Sequence, residues 1–127
     1  MMLHIKNVQI IGENNVFPGE LLVKDGKIAE VGAHVSCPEG AEVLDGGGQY
    51  LSPGFIDLHV HGGGGYSAMG GKDAVVRMCE AHARYGTTSI LPTTLAAPIA
   101  QLKTAMDGIR EAQSATDNVH ILGVHLE

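Results

Sequence analysis

Tryptophan is absent from the chain and aromatic residues make up only 4 % of it, so there is little flat stacking surface for single-stranded nucleic acid. Basic residues are scarce too. Eight Lys and Arg stand against 14 Asp and Glu, a formal charge of −6, which removes the positive footprint that nucleic acid or an anionic membrane surface requires. No run approaches the roughly 18 apolar residues of a membrane span. The opening MMLHIKNVQIIGENN also lacks an uninterrupted apolar core and a small-residue cleavage site, and the sequence reads as soluble and cytoplasmic. The two cysteines, Cys37 and Cys79, are neither close neighbours nor a Cys-x-x-Cys pair. They read as reduced packing residues rather than a disulfide or a thiolate metal site. These exclusions leave a small molecule as the expected partner.

What the chain does have is apolar content, 44 % over 127 residues, enough to build a core in about one ordinary domain's length. From Leu3 to about Leu44 the apolar residues come in short strand-like runs. Asp25-Gly26 sits between two of them, a hairpin signal because a tight type I′ turn needs φ > 0 at both positions. Residues 1–51 are therefore expected to form a small all-β piece. After Pro53-Gly54 the texture changes. FIDLHVHG is a nearly continuous apolar run, the kind a parallel strand buried on both faces requires. A helix is predicted from Lys72 to Gly86, with Val75, Met78, Cys79, His82 and Tyr85 at three- and four-residue spacing and Gly86 as its left-handed stop. TTSILPTTLAA, Thr87 to Ala97, reads as a second buried strand. A second helix begins at Pro98 and is predicted to bury Ile99, Leu102, Met106 and Ile109, with Gly108 a weak point worth roughly 1 kcal/mol. HILGVHLE, His120 to Glu127, reads as a third strand. Strand, helix, strand, helix, strand over 52–127 is the grammar of a parallel α/β sheet. Three strands alone leave an open edge, so a barrel reading predicts further chain after Glu127.

His59 and His61 close the first of these strands. Two residues apart on one strand, they face the same way at about 6.5 Å between Cα atoms, so their imidazoles can converge on one cation. In a (β/α)8 barrel the C-terminal strand ends hold the active site. Asp57 lies two residues earlier, where it either orients an imidazole or bonds nearby backbone. Gly62 to Gly65 either cradle a phosphate or make a tight turn, and the absence of a P-loop or dinucleotide spacing favours the turn. Glu127 ends the third strand as His61 ends the first, with His125 on the same face. Strand position alone leaves its role as a ligand open. Thr93 and Thr94 are read as satisfying local backbone, and His4, His34, His82 and His120 as surface or packing residues.

KDGKIAEVG at 24–32, LSPGFIDLHVHGGGG at 51–65, GTTSILPTTLAA at 86–97 and ILGVHLE at 121–127 together resemble the amidohydrolase superfamily. Within it they resemble the N-acetylglucosamine-6-phosphate deacetylase family. The Pro-Gly-Phe-Ile-Asp-x-His-x-His portion is shared across the superfamily. The glycine extension, the TTSILPTT strand and the terminal GVHLE narrow it. The resemblance implies a (β/α)8 TIM barrel, its first three strands and two helices at 52–127, beside a small β-sandwich whose N-terminal part is 1–51. It implies that Glu127 is a metal ligand and that His59 and His61 hold a second divalent ion, with zinc or iron the leading identities. It further implies an amino-sugar phosphate substrate, a homo-oligomer (dimer or tetramer) when complete, and a catalytic aspartate beyond residue 127, so that no catalytic acid or base is assigned within the chain. The rivals are another amidohydrolase, such as a dihydroorotase-like cyclic amidase that bridges its metals with a modified lysine on a later strand, or a non-catalytic truncated fragment.

Overall fold

The computed structural model describes residues 1–127, which divide into two compact units, Met1–Pro53 and Gly54–Glu127.

The first unit is one mixed five-stranded sheet. Strands β1 (Met2–Ile11), β2 (Val16–Lys24) and β3 (Lys27–Gly32) form an antiparallel meander, and β4 (Glu42–Asp45) and β5 (Tyr50–Leu51) both run parallel to β1. The turn from β2 to β3 is the one the sequence encodes, with Asp25 at φ 51° and Gly26 at φ 76°; both values fall in the left-handed region that a two-residue hairpin demands. The buried side chains are Val8, Ile10, Leu21, Leu22 and Val35, with one polar member, His4. Its Nε2 lies 3.1 Å from Glu20 Oε2, and the same oxygen accepts the Val35 N–H at 3.0 Å. These two bonds hold the Glu20 carboxyl below its ordinary value, the Val35 amide being the larger cause.

The second unit opens with β6 (Phe55–Val60), followed by a two-strand hairpin of β7 (Gly62–Gly63) and β8 (Tyr66–Ser67). Helix α1 (Lys72–Ala83), β9 (Thr87–Pro92), α2 (Ile99–Gln113) and β10 (His120–Ile121) complete it. The parallel sheet has the order β10-β9-β6. This is the start of a (β/α)8 barrel, with each strand regained through a helix. Val60, Ile90 and Ile121 from the sheet pack with Val75, Met78 and Cys79 of α1 and Ile109 and Ala112 of α2.

Six sequence expectations need correction. The third strand is regular only at His120–Ile121. Beyond it pairing survives as single bonds, Leu122 N–H to Ile90 O at 3.0 Å and His125 N–H to Pro92 O at 3.1 Å. The second strand stops at Pro92, since proline cannot donate to a ladder. β6 is not buried on both faces: it is an edge strand, and Phe55, Ile56 and Leu58 are each more than half exposed. Helix α2 buries Ala105, Gly108, Ile109 and Ala112, whereas Ile99 and Met106 are exposed and Leu102 is half-buried. The reason is close approach. A Cβ on Gly108 would lie 2.7 Å from the Gly71 Cα, so the face of α2 turned to the start of α1 admits only small residues. Tyr85, beyond the end of α1, is also exposed. Of the cysteines, Cys79 is a packing residue as read, but Cys37 is exposed.

Candidate metal centre

The local fold around His59 begins with an irregularity in β6. Asp57 pairs with Ile90 and Val60 with Pro92, so three steps on β6 match two on β9. That extra residue makes a bulge, which re-aims side chains and is common beside active sites. Asp57 takes part in it: its Oδ1 accepts the His59 N–H at 3.1 Å. Of its two readings, the backbone one describes this structure.

The bulged segment brings His59, His61 and Glu127 together. The Nε2 atoms of the two histidines are 3.2 Å apart, and Glu127 Oε2 lies 3.3 Å from His59 Nε2 and 2.8 Å from His61 Nε2. The three side chains are between 39 and 51 % exposed, so an ion and its water have access. The His61 ring is held by its other nitrogen, with Nδ1 3.2 Å from the Thr93 carbonyl. A carbonyl only accepts, so Nδ1 carries the proton and, in the neutral ring, Nε2 presents a lone pair. That lone pair, His59 Nε2 and Glu127 Oε2 then face one another at hydrogen-bond distance. A single proton bridges only two of them, whereas one cation satisfies all three. Ligands about 2.1 Å from a tetrahedral ion stand roughly 3.4 Å from each other, close to the spacings observed. The donor set, two imidazoles and one carboxylate, fits a divalent first-row ion.

Thr93 supports this arrangement more fully than its sequence position indicated. It is fully buried; its Oγ1 accepts the Val60 N–H at 2.9 Å and donates to the Leu91 carbonyl at 3.1 Å, and its own N–H donates to the Val60 carbonyl at 2.8 Å. It therefore satisfies local backbone as expected, and its carbonyl also sets the His61 tautomer. Thr94 is equally buried, and its Oγ1 has no partner.

The glycine run forms the β7–β8 hairpin, with Gly64 at φ 61° and Gly65 at φ 86° at its tip. The turn reading is the one realised. Its base is tied to the site, because the Ala68 N–H donates to the His61 carbonyl at 2.8 Å. His82, read as a surface or packing residue, reaches from α1 to donate from Nε2 to the Gly62 carbonyl at 3.1 Å, and a Cβ on Gly63 would lie 2.5 Å from that same nitrogen. No local pattern in the sequence marks this contact, which joins residues 20 positions apart. His125 is the other residue whose part was missed: its Nδ1 donates to the Leu58 carbonyl at 2.9 Å, and its ring lies against His59 at 4.3 Å between centroids.

Residues 50–127 match the amidohydrolase family. Over its whole length the chain is 30 % identical to the N-acetylglucosamine-6-phosphate deacetylase of Lysinibacillus sphaericus, of which it covers 33 %. Among solved structures, the N-acetylglucosamine-6-phosphate deacetylase from Pasteurella multocida superposes with a TM-score of 0.80 at 30 % identity, over 99 % of this chain and 34 % of that one. A D-hydantoinase superposes with a TM-score of 0.69 at 33 % identity, over 99 % of this chain and 27 % of that one. The chain thus spans about a third of the length of the deacetylases it matches.

Proposed function

Since the chain belongs to the amidohydrolase family, we propose that the full-length protein is a metal-dependent deacetylase. It hydrolyses the acetamide of N-acetylglucosamine-6-phosphate to glucosamine-6-phosphate and acetate. The observation that carries the metal part of this reading is the convergence of His59 Nε2, His61 Nε2 and Glu127 Oε2 within 3.3 Å. Support for the substrate comes from deacetylases that match both units of the chain from end to end.

His59, His61 and Glu127 would hold a divalent ion such as zinc or iron, which would supply a water of lowered pKa and polarisation of the amide carbonyl. The chain's own residues prepare that chemistry. His59 and His61 donate neutral nitrogens and act as ligands, not bases. Glu127 would add the one negative charge, its Oε2 turned to the histidines. The Thr93 carbonyl fixes the His61 tautomer, and the bulge at Asp57 aims His59. We assign proton transfer to the departing amine to none of the 127 residues.

The D-hydantoinase likeness supports a second reading, hydrolysis of a cyclic amide. Glu127 weighs against it, because the resemblance to cyclic amidases implies a modified lysine from a later strand as the bridging ligand. A His59→Ala, His61→Ala double variant of the full-length protein tests the proposal. Lost metal and lost acetate release with retained circular dichroism are expected; unchanged metal content and activity would sink it.

A further inference from the structure

We propose that His125 is a positioning residue of this centre, holding the bulged end of β6, and with it His59, in the geometry at which Nε2 meets its two partners. The inference rests on the metal reading above. Leu58 and His59 fall in the gap between the pairs Asp57↔Ile90 and Val60↔Pro92. The strand therefore has no regular ladder partner at the residue that carries a ligand. A β-strand without that ladder has lost what normally fixes its side-chain directions.

His125 replaces the missing restraint through one hydrogen bond, with its ring packed alongside. Its Nδ1 donates to the Leu58 carbonyl at 2.9 Å, a bond that joins residues 67 positions apart. Its ring lies against the imidazole of His59, with centroids 4.3 Å apart and planes tilted by 44°. The brace is itself anchored: the His125 N–H donates to the Pro92 carbonyl at 3.1 Å and its carbonyl accepts the Thr94 N–H at 3.0 Å. Fixed to the end of β9, the side chain reaches past that strand onto β6. It is not a member of the ligand cluster, whose donor atoms come from His59, His61 and Glu127 alone. Groups that orient ligands in this way typically change metal affinity 10- to 100-fold when removed, by roughly that factor in other centres.

Two substitutions separate the bond from the ring. His125→Asn keeps an N–H close to the place of Nδ1 and removes the aromatic face, whereas His125→Phe keeps a ring and removes the donor. In the full-length protein, titration with cobalt(II) against a competing chelator is expected to show His125→Phe binding about tenfold more weakly, with shifted d–d bands, and His125→Asn close to wild type. Wild-type affinity and spectrum in His125→Phe, or an equal loss in His125→Asn, would overturn the proposal. If His125→Phe fails to fold, His125→Ala takes its place: about tenfold weaker binding in it, beside near-wild-type binding in His125→Asn, supports the brace, and wild-type binding in His125→Ala refutes it. A wild-type protein that takes up no cobalt sinks the metal reading instead. The brace is then read in the metal-free protein from long-range proton–nitrogen spectra of the histidine rings. His59 resonances that move in His125→Phe and return in His125→Asn are expected, and unmoved resonances in His125→Phe contradict it.

Discussion

Replacing Gly108 by alanine is expected to destabilise the protein although alanine is the better helix former. In an open helical position the substitution would gain about 1 kcal/mol from restricted unfolded-state freedom. Gly108 is not open. A Cβ there would stand 2.7 Å from the Gly71 Cα and 3.0 Å from both the Gly71 carbonyl carbon and the Lys72 nitrogen. All three are main-chain atoms, so no rotamer change relieves the clash. Gly71 also begins α1 with φ 83°, so that backbone is not free to adjust. The helices must separate, which strips contacts from Ile109, Ala112 and Val75 in the core. Overpacking of this kind costs about 1–3 kcal/mol. With backbone as the obstacle the upper half of that range applies, and the net loss is about 1–2 kcal/mol after the propensity gain. In a urea titration with a slope of about 2 kcal/mol/M the midpoint falls by roughly 0.5–1 M. Thr104→Ala, on the exposed side of the same helix, serves as the control and should raise the midpoint slightly. The reasoning fails if Gly108→Ala raises the midpoint as its control does.

The two cysteines should differ in reactivity. Burial, with Glu80 adding to it, pushes the Cys79 thiol up to about 11, so almost no thiolate exists at pH 8. Peptide mapping after brief maleimide treatment should find label on the exposed Cys37 and little on Cys79; comparable labelling would contradict the packing described. Glu20 gives a pH prediction with a definite sign. Its folded-state carboxyl is held below the ordinary value of 4.5, so its contribution is fully present above that value and is lost as pH falls through the depressed one. The difference in Tm between wild type and Glu20→Gln should therefore shrink between about pH 5 and pH 2. A difference constant across that window would show that the bonds from Val35 and His4 contribute no pH-linked stability.

The sequence carried the fold where local chemistry determines it. Asp25-Gly26 can hardly be anything but a two-residue turn, and the spacing of Val75, Met78 and Cys79 marks the buried face of α1. It misled in α2, where apolar residues such as Ile99 and Met106 recur at helical spacing yet are exposed. The face that packs there is set by how near the neighbouring backbone comes, which hydrophobicity does not encode. At the site, the pairing of His59 and His61 was legible because two residues on one strand share a face; strand position left Glu127 open, and only the family resemblance pointed to it. The bulge was not legible: FIDLHVHG shows no glycine or proline between Asp57 and Val60. The contacts of Thr93, His82 and His125 with distant carbonyls depend on register across strands, which only the folded chain reveals.

The most direct measurement is acetate release by the full-length protein from N-acetylglucosamine-6-phosphate, run with and without added divalent metal beside the unphosphorylated sugar and a hydantoin. Release that needs the metal and favours the phosphorylated sugar is the predicted result. A metal-loaded protein that releases no acetate and opens the hydantoin ring would contradict the deacetylase reading.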